Sequence, residues 1–497
     1  MKKFFFVIVL STIMILQAFA GGLVSNTNQS ASYYRMLARG ASTDADAVYY
    51  NPAGLAFLEQ GFTFSLNTQM IWMKRNITSE FPSLNNPKFE GTLFVPFYPG
   101  VYAAYKTGQF TFSLGFNPPA GGGSIEFAHG LPMLERDVSM IPGTLSNLPP
   151  PLTTPTNNYE MESYMKGSSI FYAGQAGVSY RLTDMIGVSA GVRMMFANNS
   201  YEGYLRNIRI NPNGNWTLAT DFFKATGDGL AAQAAQATAG AAQAAAGAAA
   251  AAAAGDDALA AQLNETAVTL TATAAALNAA SSGMLENSES TKPQSLDVKQ
   301  KGNGFAPILG VHFNLVKLQL SAKYEFRTKV VLTNETIADV GMYPDAVKTR
   351  SDVPAILSLA GSYEIIPALK FSAQYVHHFE TKAKIQDGTG LVNRQDFING
   401  GTNEILAGLE FKLNDRLILS TGCQYSMVNV SDLWQNDITH NLTNFTLGLG
   451  AAFNINEKIT LNIGGLNTWY NESFIEHSYT TYNRTNKAIA LGIDFRF

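Results

Sequence analysis

The chain has 497 residues, 46% hydrophobic and 14% charged, with 43 glycines, 31 phenylalanines and a formal net charge of -4. So small and dispersed a charge excludes the basic surface of a nucleic-acid binder. Past the first twenty residues no helix-length run of bulky apolar residues occurs, which excludes a helical membrane protein, and the lone Cys423 excludes an intrachain disulfide framework.

Lys2 and Lys3 precede an apolar run from Phe4 to Leu16, followed by Ala18-Phe19-Ala20, a small-x-small cleavage signature. This reads as an export signal over residues 1–20, with the mature chain starting at Gly21. No cysteine stands at the cleavage point, so a lipid anchor is not expected.

The rest of the chain alternates apolar and polar residues with a period of two, the pattern of strands with one face toward lipid and one toward a lumen. The first strand runs from about Phe62 to Met73, and a 25-residue connection separates it from the second, about Pro99 to Lys106. A tight turn at Thr107-Gly108 leads into the third, where Phe110, Phe112, Leu114 and Phe116 alternate with Thr111, Ser113, Gly115 and Asn117. Strands four and five, Ser168 to Arg181 and Ile186 to Arg206, share a short turn. So do six and seven, Gly302 to Phe313 and Val316 to Leu332. Further tight turns fall at 364–367, Asn414-Asp415 and Asn456-Glu457, and the last strand ends on Phe497, with Ile489, Leu491, Ile493 and Phe495 on its apolar face. Cys423 falls on the apolar face of its strand, a buried or lipid-facing position. Fourteen strands result, all short connections on one rim and all long ones on the other: a closed all-β, antiparallel transmembrane barrel (residues 61–497), expected to be a monomer in the outer membrane.

Two regions are not wall. Residues 21–60 lack sustained alternation, and a barrel this wide is not filled by wall side chains alone, so they read as a plug within the lumen. The connection from about Asn207 to Lys301 contains Ala231 to Gly255, almost only Ala, Gln and Gly, and a second stretch from Asp256 to Ala280. Alanine's helix propensity makes this a helical or partly disordered extracellular insertion, the two stretches pairing as helices across Gly255-Asp256.

The plug carries the stretch from Gly40 to Leu55, GASTDADAVYYNPAGL, which resembles the N-terminal hatch of the FadL/TodX outer-membrane transporters, centred on Asn51-Pro52-Ala53. Gly302-Asn303-Gly304-Phe305, Tyr324-Glu325-Phe326-Arg327 and the segment from Asp352 to Leu359 extend the resemblance over nearly the whole mature chain. The alanine-rich insertion departs from it, in the family's long third extracellular loop. The resemblance implies passive uptake of hydrophobic compounds, above all long-chain fatty acids or aromatic hydrocarbons, past a ligand-gated hatch to a lateral opening at a kink in the third strand. It also implies a mature N-terminus, Gly21, Gly22 and Leu23, that lies near the ligand pocket and gates it by its movement.

The residues bear on that implication. After Phe116 come Asn117-Pro118-Pro119-Ala120-Gly121-Gly122-Gly123, where two prolines cannot donate ladder hydrogen bonds and the glycines permit a bend. Composition allows either a strand end or a kink; the resemblance favours the kink. For a ligand carboxylate, parity puts Arg193, Lys323 and Arg327 on the lumen face as candidates, along with Lys317 and Lys329, while Glu325, Glu410 and Lys412 offer internal pairing instead.

Gly187-Val188-Ser189-Ala190-Gly191 matches a nucleophile-elbow pattern but lies inside a strand, and His377 and His378 point to opposite faces, so neither an enzyme nor a metal site is expected, nor any cofactor. The rival readings are a structural or adhesion barrel whose alanine-rich insertion binds a partner, an outer-membrane lipase using Ser189, and a water-filled porin.

Overall fold

The structure, a computed structural model, describes residues 23–150 and 152–497. The segment expected to be an export signal, residues 1–20, and Gly21 and Gly22 lie outside the described residues. Fourteen wall strands follow: β1 Gly61–Ser79, β2 Lys88–Thr107, β3 Phe110–Phe127, β4 Tyr159–Arg181, β5 Ile186–Ile210, β6 Gln294–Asn314, β7 in two pieces Leu318–Glu325 and Val331–Ala338, β8 in two pieces Lys348–Arg350 and Ile356–Ile366, β9 Leu369–His378, β10 Asn403–Lys412, β11 Leu417–Met427, β12 Asn444–Asn454, β13 Ile459–Tyr470 with the short continuation Ser473–Ile475, and β14 Thr480–Arg496. Each pairs antiparallel with its neighbour. β14 closes on β1 in continuous register from Thr63↔Arg496 to Ser79↔Thr480.

Along the last strand Ile489 and Leu491 are exposed, while Ala488 and Ala490 are buried. Around the wall Trp72, Phe112, Leu114, Phe305 and Leu449 likewise face outward. An outer belt this apolar is a lipid face, because water would leave it as one continuous exposed patch. The tight turns gather on one rim and the long connections on the other, as the sequence implies.

The structure corrects the strand lengths. The 25-residue connection does not exist: β1 runs on to Ser79, β2 begins at Lys88, and only residues 80–87 separate them. β4, β5 and β6 overrun their expected ends in the same way, and Tyr159 pairs with Ile210 well past Arg206. The extensions carry exposed cross-strand ion pairs, Lys74–Glu90 at 2.9 Å, Arg206–Glu162 at 2.9 Å and Lys301–Glu335 at 2.8 Å. The ladder therefore continues beyond the lipid into water, where the outer face no longer alternates. Helix α3, Pro132–Ser146, lies in the β3–β4 connection, where the sequence shows no strand alternation.

The insertion is helical throughout. α4 spans Ala219–Ala253 and α5 Asp257–Ser290, turning at Gly255 (φ 80°) with the Asp256 side chain capping Leu259 N–H. Buried Ala234, Ala241 and Ala248 on α4 recur every seventh residue, as do Ala274, Ser281 and Ser288 on α5, so the two helices pack as an antiparallel seam of small residues.

The N-terminal segment fills the barrel. α1, Ala31–Arg35, and α2, Ala47–Tyr50, form single helical turns, and Pro52–Phe57 a 3-10 turn, with nearly every residue from Leu23 to Ala56 buried. The Ala31–Arg35 turn approaches β11 to β14 so closely that glycines are needed on the lumen face: a Cβ at Gly464 would lie 2.6 Å from Arg35 N and 2.7 Å from Tyr34 Cβ. Replacing Gly464 with Leu is expected to push this turn off the wall while the barrel still closes. Planar-bilayer conductance of the variant should rise above the wild-type level; unchanged conductance from a correctly folded variant would contradict this packing.

Candidate functional site

The plug is fastened differently at its two ends. At the tight-turn end, Asn51 Nδ2 bridges Ser42 O (2.9 Å) and His312 Nδ1 (3.0 Å). The next carbonyls accept from the wall: Pro52 O from Ser179 Oγ (2.6 Å), Leu55 O from Thr111 Oγ1 (2.9 Å), Ala56 O from Lys106 Nζ (2.6 Å). The Asn51-Pro52-Ala53 turn is thus stapled to β2, β3, β4 and β6. Behind it, Arg39 grips Asp46 through Nε (3.0 Å) and Nη2 (2.7 Å), a bidentate pair that holds the plug's own fold.

At its N-terminal end the plug meets a break in the wall. β2 and β3 pair from Thr107↔Phe110 to Val101↔Phe116 and again at Thr92↔Glu126, but not between. β3 does not end at Asn117, so the strand-end alternative is corrected. It continues along β4 to Phe127 with register shifts at Asn117/Ala120 and Gly121/Gly123. Gly121 (φ 73°) and Gly123 (φ 114°) take backbone conformations that side chains disfavour, so glycine is what lets the strand bend. Prolines stand on both banks, Pro96 and Pro99 in β2 and Pro118 and Pro119 in β3.

The bent strand turns inward, and the plug satisfies its carbonyls. Asn26 N–H donates to Pro119 O (2.7 Å), Asn26 Nδ2 to Gly121 O, Gln29 Nε2 to Pro118 O (3.2 Å), and Ser25 bridges Ala120 as an isolated β-pair. Tyr98 stands in the gap, its hydroxyl donating to Pro118 O and accepting from Asn26 Nδ2 (3.1 Å). None of Asn26, Gln29 and Tyr98 was picked out by sequence reasoning. The four prolines were the available signal.

Beside the gap lies an apolar cluster already occupied by the chain itself. Leu23 and Val24, both buried, pack among Ala120, Phe171, Ala173, Met195 and Trp434. Leu23 N–H donates to Glu380, whose other oxygen accepts from Thr402 N–H (2.9 Å) and Oγ1 (2.7 Å); Ser25 Oγ meets His378 Nδ1 at 3.0 Å. Of the expected N-terminal gate, only Leu23 falls within the described residues.

Arg193 and Lys323 do face the lumen, and the structure brings them together on one partner. Both ion-pair with Glu325, Lys323 at 2.6 Å. Arg193 also binds Gln175 Oε1 through Nε (3.0 Å) and Nη2 (2.6 Å), and Lys323 donates to Tyr49 O (2.8 Å). Both cations lie over the Tyr49 ring, 4.6 and 5.0 Å from its centre. Internal pairing thus takes up both candidates, which clamp the middle of the plug. Arg327 stands apart, half-exposed, 3.7 Å from Asp352 and bonded to Lys382 O. Ser189 lies inside β5 and the two adjacent histidines face opposite sides of β9; no cluster fit for a metal occurs among the described residues.

The sequence matches no protein-family model. Nor does any curated protein match it. Solved structures do match. A Pseudomonas aeruginosa FadL homologue superposes with a TM-score of 0.59 at 11% identity, covering 96% of this chain and 100% of its own. The Pseudomonas putida toluene transporter TodX gives a TM-score of 0.54 at 13% identity, again covering 96% and 100%. The fold, a fourteen-stranded barrel with FadL-like architecture, is therefore shared over nearly the entire length.

Glu325 is the counter-charge for two buried cations, so Glu325→Ala should destabilise the protein by about 3–5 kcal/mol through the uncompensated charge. Denaturant unfolding in detergent micelles measures this; a loss below about 1 kcal/mol would show that the clamp contributes no more than a surface pair.

Proposed function

We propose that this chain is a passive outer-membrane transporter for hydrophobic compounds, most of all long-chain fatty acids, which it releases sideways into the bilayer through the gap between β2 and β3. The observation that carries the reading is the interrupted β2–β3 ladder, whose inward-turned carbonyls are held by the plug's own N-terminal segment. A gap used only as a structural irregularity would gain nothing from adjoining an apolar pocket. This one does adjoin one, through Ala120.

Entry is from the long-loop rim. There an apolar groove of about 190 Å³ between α3 and α5, lined by Leu145, Phe223 and Met284, offers a first foothold for an oily solute. The resting pocket is filled by Leu23 and Val24. A ligand that takes their place must offset about 1.5–3 kcal/mol for each, which at about 0.8 kcal/mol per methylene corresponds to roughly four to eight methylene groups. A long acyl chain supplies that easily, and a single aromatic ring only just. Displacing Leu23 and Val24 pulls on Ser25 and Asn26, and so frees the carbonyls of the bent strand. Ligand binding drives this by its preference for the displaced arrangement, and no energy source in the barrel is needed.

The monomeric state, the Gram-negative outer membrane and the absence of a cofactor all belong to this reading. FadL-like and TodX folds, described as a FadL homologue and a toluene transporter, are consistent with a cargo that is apolar.

Replacing Pro118, Pro119 and Gly121 to Gly123 with Val and Thr should restore the β2–β3 ladder and close the exit. Uptake of radiolabelled oleate, with toluene in a parallel series, is then expected to fall to the level of cells lacking the protein. Undiminished uptake by a folded variant would rule out lateral release.

A further inference from the structure

Away from the Leu23 pocket, towards the long-loop rim, β1 and β14 set two arginines directly opposite each other, Arg75↔Arg484. Both point into the lumen and both are buried, at 1% and 2% exposure. A buried guanidinium is costly unless its charge and its donors are met.

Arg484 lies over the Tyr470 ring at 4.8 Å, and among the described residues it has no ion pair. Its Nε and Nη2 are buried without a hydrogen-bond partner. These two nitrogens form one edge of the guanidinium, the edge that grips both oxygens of a carboxylate. Arg75 donates through Nη1 to Ile438 O and adds a second positive charge alongside. The Tyr470 hydroxyl, Asn486 Oδ1 and Asn444 Oδ1 are also buried and unpartnered.

Among the described residues no acid pairs with Arg484. Asp437, the buried carboxylate of the neighbouring loop, is engaged by Met133 N–H (2.6 Å), the Tyr482 hydroxyl (2.7 Å) and Arg136 (3.6 Å). His440 stacks on Tyr482 at 4.7 Å. Burial first, then Arg75 and Arg484, push its imidazole well below its ordinary pKa, so it stays neutral and adds no charge. The surroundings are otherwise apolar, with Met73, Ile77, Ile438 and Leu442 in the same buried cluster.

We infer that Arg484, with Arg75 and Tyr470, forms an internal site for the carboxylate of an acyl-chain ligand, a station distinct from the Leu23 pocket that selects acids over neutral hydrocarbons. The edge of one guanidinium and a neighbouring hydroxyl fit the two oxygens of a carboxylate, and the apolar neighbours fit its chain. This rests on the lumen being a route for apolar compounds.

The test uses the purified full chain in detergent, titrated with decanoate and with decanol, which share a chain and differ in charge. Wild type should prefer decanoate by about tenfold or more, the scale of one buried charge-assisted contact. In Arg484→Met the decanoate-to-decanol ratio should fall towards one, and Arg484→Lys should keep part of it. Inorganic phosphate should compete poorly, because it brings no chain. An unchanged ratio in Arg484→Met overturns the site, and efficient displacement by phosphate alone overturns its occupant. If Arg484→Met does not fold, Tyr470→Phe must narrow the preference, and failure to do so counts against the site equally. Wild type that binds neither probe contradicts the lumen route itself, whereas binding of both with no preference contradicts only the carboxylate station.

Discussion

A strand in hydrocarbon must have every backbone N–H and C=O paired, because nothing in the lipid will pair them. The wall between β2 and β3 breaks that rule over Leu93 to Gly100 and Asn117 to Ile125, and the plug meets three of the carbonyls on the β3 bank. Asn26 and Gln29 meet the carbonyls of Pro118, Pro119 and Gly121, with Tyr98 bridging the two. Gap and plug are therefore one unit: the gap is tolerable because the plug is there, and the plug's N-terminal segment is ordered because the gap offers it acceptors.

The asymmetry of the plug follows from the same reasoning. From Asn51 to Ala56 it is bound to four strands by side chains that are themselves part of the ladder. Its middle is clamped through Tyr49 by Arg193 and Lys323 on Glu325. The N-terminal part holds by a few hydrogen bonds worth about 1 kcal/mol net each and by two apolar side chains, contacts that an apolar ligand can replace. Motion on ligand binding is thus expected at Leu23 to Asn26, with the Asn51-Pro52-Ala53 turn as its fixed base.

Where the lipid decides the pattern, the sequence was legible: Ile489, Leu491 and Ile493 mark an outer face because hydrocarbon touches them. Past the lipid the pattern lapses, so the ladder from Met73 to Ser79 could not be read, although Lys74 and Glu90 pair across it. α3 was hidden by Pro132, Pro142 and Gly143, residues that ordinarily argue against helix. The two helices of the insertion and their pairing across Gly255-Asp256 are legible from alanine's propensity and that turn, but the seam between them is not. An all-small seam shows no amphipathic stripe; its seven-residue period emerges from which small residues are buried, Ala234, Ala241 and Ala248, and from Gly240 and Gly247 facing Leu270 and Leu263. In the site, parity placed Arg193 and Lys323 on the lumen correctly. Which acid would claim them depended on the register of β7 against β6 and β5, and so did the whole network around Asn26, whose partners lie some ninety residues away in the chain.

The central claim, that ligand passage requires the N-terminal segment to leave the gap, can be tested by tethering the two. Ser25 and Ala120 face each other as an isolated β-bridge, so cysteines at both positions, in a background with Cys423 replaced by Ser, are placed to form a disulfide across the plug and the bent strand. Oleate uptake should collapse when the pair is oxidised and return on reduction with dithiothreitol. Uptake by the fully oxidised protein at the reduced protein's rate would contradict the account.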